Sequence, residues 1–394
     1  MKKKESLPLT GMICLLLFAA FVFLYLLLFQ GDLLFYAQHV LSKGVTVYEP
    51  TVGAVIITGL LLLLAFYVVR PLANHLYYVP AMYYFPSALI LAALTDINIV
   101  KSQDESVFGH GWIIAVVLMG VFILVVQLMK RAVVAVRLVT PKDVLVNLCL
   151  NITVMIGIFF CVMIVANTDE KDHSELEAER YLLNKDYAEA AEVGKVQNCD
   201  TEEMTMIRAY ALANMGQLGE HFFEYVEYPA PGNSAMLLPS KDNHMKVFPE
   251  MKIYRFIGGV PSEGMSAREC LRLLEKRGKL REKAKDYLLT ACLIDCDLDA
   301  FADYLRQDYD STMVLPKHYR EALTLHNHLR ANPVLEYELP EMEANFVDFQ
   351  EMIKNNPDKV LCENTLRDYY GETYWFYYYF TARKAFIQSV SREN

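Results

Sequence analysis

Residues 144–176 read VLVNLCLNITVMIGIFFCVMIVANTDEKDHSEL, and the chain changes character inside them. Val144–Ala166 is apolar and long enough to cross a ~30 Å hydrocarbon layer as an α-helix, which takes about 20 residues. From Thr168 onward charged residues take over, and no later apolar run is as long. Toward the N-terminus lie four more runs: Leu9–Phe29, Val52–Val69, Tyr77–Leu94 and Trp112–Met129. The expectation is an all-α chain. A membrane domain at 1–168 has about five spans (9–29, 52–69, 77–94, 112–129, 144–166), and a soluble domain follows at 169–394.

Charge placement gives the orientation. With five spans, the segments on the N-terminal side hold Lys2, Lys3, Lys4, Arg70, Lys130, Arg131, Arg137 and Lys142. The opposite loops hold only Lys43 and Lys101, against Asp32, Glu49, Asp96, Asp104 and Glu105. Cytoplasmic loops retain Lys and Arg, so the N-terminus is expected in the cytoplasm and the C-terminal domain outside. The third run carries Pro80 and Pro86 and is rich in Tyr; omitting it leaves five cations on each side and no bias. Met1–Gln30 has the Lys cluster of a signal peptide, but its apolar stretch exceeds the usual 7–15 residues and no A-x-A-like site follows. It is expected to stay as the first span.

The formal charge of −10 conceals a split. Residues 1–169 carry ten Lys or Arg and eight acids, whereas the remainder carries 27 and 39, a net of −12. An acidic soluble part argues against nucleic acid or anionic lipid as its main partner, since both select basic surface.

From about Ser174 the apolar spacing becomes that of short amphipathic helices joined by tight turns. Turn positions at Tyr187, Leu218, Val260 and Leu298 punctuate four helix pairs, and His318–Leu329 begins a fifth segment. Asp200 with Glu203 suits a capping box at the second pair. The first spacing approaches the ~34-residue tetratricopeptide period, and a Pro- and Gly-rich insertion at Tyr228–Lys246 lengthens the next. Single pairs cannot bury their apolar faces, but stacked pairs share a continuous core. The expected soluble domain is a helical-repeat, tetratricopeptide-like one.

Taken together, the multi-span N-terminal region, Tyr181–Tyr225, the stretch Leu315-Pro316-Lys317-His318-Tyr319-Arg320-Glu321-Ala322-Leu323 and the run Thr373-Tyr374-Trp375-Phe376-Tyr377-Tyr378 resemble an uncharacterised family of bacterial integral membrane proteins. The resemblance implies the architecture and an inner-membrane location, and it brings no site residues. The chain departs from the tetratricopeptide pattern in spacing and in lacking a Trp in the first helix of each pair.

Candidate chemistry is sparse. Asn147 and Asn151 lie one turn apart on the last span, where amides either coordinate a substrate or bond a neighbouring helix; helix packing is the expectation. Cys14, Cys149 and Cys161 sit in spans, and Cys199, Cys270, Cys292, Cys296 and Cys362 lie in the soluble part. Cys292 and Cys296 share a helix face, but no His or second Cys pair follows at zinc-like spacing. His326 and His328 point roughly 200° apart on a helix and cannot share a metal. No cofactor is implied, and no catalytic set is recognisable. The aromatic run Tyr369–Phe380, including Tyr370, Tyr374, Trp375 and Tyr378, is either the end cap of the helical stack or a membrane-interface patch. Internal capping is the expectation.

The resulting reading is a membrane-anchored scaffold of the bacterial envelope, integral to the inner membrane and binding a protein partner through its repeat domain, without nucleic acid. The alternative is an envelope enzyme or transporter subunit, such as a lipid-linked glycosyl transferase, for which the first loop offers Asp32 and Glu49.

Overall fold

A computed structural model describes residues 7–76, 79–99, 107–131, 144–195, 201–224, 232–241, 243–308 and 314–383. The chain divides into two compact units, Met1–Leu176 and Glu177–Asn394. Among the described residues every regular element is helical, and the one β-contact is an isolated antiparallel bridge between Ile97 and Phe108.

The first unit holds α1 (Leu7–Leu28), α2 (Gly31–Leu41) and α3, which runs from Pro50 to Leu63 and continues as a π-helical stretch Leu64–Val69. It also holds α4 (Pro80–Thr95), α5 (Gly111–Arg131) and α6 (Val144–Val165). Four helices, at Leu9–Leu28, Pro50–Leu72, Gly111–Met129 and Leu145–Val165, are long and apolar enough to cross a membrane. The third expected span is shorter than read: Tyr77 and Tyr78 lie outside the described residues, and α4 starts at Pro80. Its prolines begin helical segments rather than interrupt one. Pro80 opens a 3-10 turn of five residues, and Pro86 sits in the first turn of the eleven-residue α-helical part. A missing N–H costs nothing there. At rises of ~2.0 and ~1.5 Å per residue, α4 reaches about 27 Å.

This short helix is the one the others surround. Helices α1, α3, α5 and α6 all pack against it, and Ala81, Ser87, Ala88, Leu91 and Ala92 on it are buried. Three neighbours also supply polar bonds. Asn151 Oδ1 on α6 accepts the Ala81 N–H at 3.1 Å, an amide that the helix start leaves open. Ser87 Oγ donates to the Leu61 carbonyl of α3 at 2.9 Å, and Tyr25 of α1 donates to Thr95 Oγ1 at 3.3 Å. Helix α2 falls in what the sequence presents as a loop; Leu33, Leu34, Phe35, Tyr36 and Ala37 bury its inner side.

The second unit begins within α7 (Glu170–Asn184) and goes on through α8 (Tyr187–Glu192), α9 (Glu202–Met215), α10 (Leu218–His221), α11 (Met251–Ile257) and α12 (Ala267–Lys276). It continues through α13 (Lys285–Ile294), α14 (Leu298–Asp308), α15 (Lys317–Leu329), α16 (Pro340–Asn355) and α17 (Lys359–Tyr370). Helix α18 starts at Tyr374–Phe376 and runs on as a π-helix, Tyr377–Ala382. One apolar core extends from Ala178 to Ala382.

Three of the four turns share one geometry. Lys185, Gly216 and Cys296 are left-handed, with φ of 67°, 69° and 55°. Each donates to the carbonyl three residues back, and the residue after it donates to the carbonyl five back. This is the Schellman arrangement, which satisfies the last carbonyls of a helix and lets the next one start at once. The turn near Val260 differs: Gly258 and Gly259 both donate to the Tyr254 carbonyl at 3.0 Å. The capping box expected at Asp200 and Glu203 is not what starts α9. Thr201 is its cap, accepting the Met204 N–H at 3.1 Å, while Asp200 lies outside the described residues. A full capping box occurs at Ser266 and Glu269 on α12.

The Pro-rich insertion is anchored inward. Its 3-10 turn Ser234–Leu237 packs on α9, α12 and α13. Further on, the Glu179 carboxyl of α7 accepts the N–H groups of Lys246, Val247 and Phe248 at 2.8, 2.6 and 2.6 Å. Burial pushes that carboxyl up to about 7, against the pull of the three amides.

In full-length protein in detergent, Asn151→Leu should lower the melting transition, because it strands a buried amide at a cost of ~1–3 kcal/mol. Gly216→Ala should cost ~1–2 kcal/mol in the tail by forcing a Cβ into left-handed backbone. Thermal denaturation followed by circular dichroism reads both, and wild-type melting of either variant contradicts the corresponding contact.

Candidate functional site

Pro316 ends an extended approach and Lys317 opens α15, whose N-terminal amide is accepted by the Glu220 carboxyl at 2.7 Å. Helical spacing then brings His318 and Glu321 onto one inward face, and both are buried. His318 Nε2 accepts the Phe223 N–H at 3.2 Å, so that nitrogen carries no proton. The proton therefore sits on Nδ1, which donates to Glu321 Oε2 at 3.0 Å. The same carboxyl oxygen accepts the Tyr374 N–H at 2.8 Å, and the Glu321 carbonyl accepts Trp375 Nε1 at 2.7 Å. The stretches 315–323 and 373–378 thus meet in one buried network.

The aromatic segment returns the contact to another helix end. Tyr374 donates its hydroxyl to the Leu293 carbonyl at 3.0 Å, and Tyr377 donates to Ile294 at 2.9 Å. Both carbonyls belong to the last turn of α13, where intrahelical donors run out. Tyr377 Oη also accepts the Gly232 N–H at 2.9 Å. Burial holds both phenols well above their ordinary pKa. Trp375 packs on Phe346, Phe349 and Tyr370, with ring centres 5.1, 6.0 and 6.3 Å away. Tyr370 and Tyr378 are half-buried, and Tyr370 donates to Asp348 at 2.7 Å. Tyr374 and Trp375 therefore lie in the interior, and Tyr370 and Tyr378 at its rim.

The remaining candidates are held separately. Asn151 Nδ2 donates to the Asn147 carbonyl at 2.9 Å and to Asn147 Oδ1 at 3.0 Å, so the two amides form a bonded pair that serves Ala81. Glu49 is the N-cap of α3, accepting the Val52 N–H at 2.6 Å, and Asp32 lies in the first turn of α2. His326 pairs with Asp299 at 3.2 Å and His328 with Glu343 at 2.6 Å, on different elements. Cys270, Cys292, Cys296 and Cys362 are free thiols, and Cys199 lies outside the described residues. Burial pushes the Cys292 and Cys296 thiols up to about 12, which keeps them protonated and poor metal ligands.

The alternating acids Asp295, Asp297 and Asp299 escape a motif reading, though their spacing resembles a cation loop. Asp295 and Asp297 share Arg268, and Asp299 serves Arg330. Asp295 accepts from Ser234 Oγ at 2.9 Å and pairs with Arg268 at 3.4 Å. Asp297 pairs with Arg268 and caps α14 at Ala300, while Asp299 holds Arg330 through two bonds of 2.8 and 2.9 Å. Among the described residues no group of three such side chains converges on a common point.

Glu321→Gln can place its amide oxygen where Oε2 accepts both the His318 and Tyr374 donors, but a neutral amide is a weaker acceptor than a carboxylate. A loss of ~1–3 kcal/mol is expected, with Glu321→Ala worse because both donors stay buried without a partner. Truncation after Asn364 removes several buried rings worth ~1.5–3 kcal/mol each, a large part of a typical domain's margin of ~5–15 kcal/mol. Limited proteolysis of the full-length and truncated chains reads both changes. A truncated chain that stays as protease-resistant as the full one contradicts an internal cap.

Residues 263–381, which reach from the approach to α12 to the end of α18, match a family of unknown function, DUF6057. No curated protein and no solved structure matches the chain.

Proposed function

We propose that the chain is a membrane-anchored helical scaffold of the bacterial envelope, with a tail that binds a protein partner. The observation that carries this reading is where the chemistry-bearing groups go. Glu179, His318 and Glu321 are buried, and each is bonded to backbone or side chains of another segment of the tail. They hold helices in register rather than face a cleft. The recurring turn at Lys185, Gly216 and Cys296 supports stacked helix pairs, an architecture whose extended surface suits peptides and partner helices.

Five spans remain the proposed count. At about 27 Å, α4 falls little short of the ~30 Å hydrocarbon thickness. Including it preserves the cation asymmetry that puts the N-terminus in the cytoplasm.

Alkaline phosphatase fused after Asn394 should then be active, and an inactive fusion that is stably expressed contradicts the orientation. For the partner, a photocrosslinking residue at Val360 or Leu361, both exposed on α17, should give a discrete adduct with one protein in cells. Absence of any adduct from these and other exposed tail positions contradicts the scaffold.

A further inference from the structure

The tail's charge is unevenly spread. Residues 268–285 carry eight Lys or Arg against three acids, a net of +5, so the rest of 170–394 stands at −17. Arg272, Lys276, Arg277, Lys279, Arg281 and Lys283 are all exposed, on the last turns of α12 and its connection to α13. Among the described residues none of the six is in an ion pair. The acids beside them are committed elsewhere: Glu269 closes the capping box with Ser266, and Glu263 pairs with Lys241 at 3.4 Å. Only Glu275 and Glu282 dilute the patch.

The connection is ordered by its backbone. Gly278, at φ 61°, closes α12 with a Schellman turn: its N–H donates to Glu275 and that of Lys279 to Leu274, both at 2.9 Å. Arg281 N–H then reaches the Ile257 carbonyl at the end of α11, at 3.3 Å. A Cβ at Gly258 would collide with the Lys279 carbonyl oxygen, so the approach of the two segments requires glycine there. The cations are therefore presented on a pinned turn, and ordering the backbone adds little to the cost of binding.

The patch does not suit a compact anion. Its cations are spread along a protruding turn, and the adjoining open cleft has Glu263 and Glu269 on its wall beside Arg272 and Lys276. Residues 268–285 include no Phe, Tyr or Trp, so they lack the stacking platform that single-stranded nucleic acid uses. Dispersed exposed cations match dispersed phosphates, and clusters of four to eight Lys or Arg are the pattern drawn to anionic bilayers. We propose that this basic turn is a docking site for an anionic phospholipid surface. The expectation that an acidic tail disfavours such lipid rests on the average charge, from which this segment departs. The proposal is independent of the scaffold reading.

The test uses the full-length chain held in zwitterionic nanodiscs and sedimented with sucrose-loaded vesicles. Vesicles of phosphatidylcholine mixed with phosphatidylglycerol should pellet the protein, and pure phosphatidylcholine should not. Raising sodium chloride should release it, because screening shortens the reach of exposed charges. Each neutralised cation should weaken partition roughly fivefold, so the pair Arg277→Gln and Lys279→Gln loses about 25-fold. Adding Lys276→Gln and Arg281→Gln brings the loss to several hundredfold. An unchanged melting curve for the two-site variant keeps the comparison independent of folding. Equal pelleting with both vesicle types, no pelleting with either, or wild-type pelleting of the four-site variant overturns the proposal. Release by inorganic phosphate beyond that by sodium chloride at equal ionic strength also overturns it, in favour of a small-anion pocket.

Discussion

A carboxyl group cannot be buried without donors, and the Glu321 carboxyl has two: the His318 ring and the Tyr374 amide. Much of the tail's arrangement follows from that requirement. His318 can donate through Nδ1 because the Phe223 amide occupies Nε2, which ties the end of α10 to α15. Tyr374 can reach Glu321 only when α18 returns to α15, and that return places Trp375 among Phe346, Phe349 and Tyr370. It also brings the Tyr374 and Tyr377 hydroxyls to the last two carbonyls of α13. Removing one partner of such a network costs more than its bond is worth, because the others stay buried and unsatisfied.

The same rule operates in the first unit, at the buried start of α4. A buried helix start leaves amides that other parts of the protein must satisfy. Asn151 does so for Ala81, and it is itself oriented by two bonds to Asn147. Ser87 and Thr95 connect α4 to α3 and α1. The small residues of α4 allow close approach, and the polar bonds set its position.

The long apolar helices were legible because hydropathy over about 20 residues leaves few alternatives. Helix α2 was not, since eleven residues containing Asp32, Gln38 and His39 carry no span signal. In α4, Pro80 and Pro86 read as interruptions, and only three-dimensional context shows that each begins a segment. The turn at Gly216 announces itself by residue type, whereas Lys185 and Cys296 adopt the same left-handed geometry with no glycine to mark it. Glu179 gave no signal: its partners lie 67 to 69 residues away, at and just past the end of the Pro- and Gly-rich insertion. The aromatic run was visible in composition, but its bond to Glu321 spans 53 residues and no local pattern encodes it.

The aromatic segment lies inside the tail, fixed by Glu321. The chain has two tryptophans, Trp112 and Trp375, so Trp112→Phe leaves a single reporter at the network. In that full-length variant, Trp375 fluorescence should be blue-shifted and resistant to iodide, as befits a buried indole bonded to the Glu321 carbonyl. Emission at the wavelength of solvated indole, quenched by iodide as readily as free tryptophan, would contradict it.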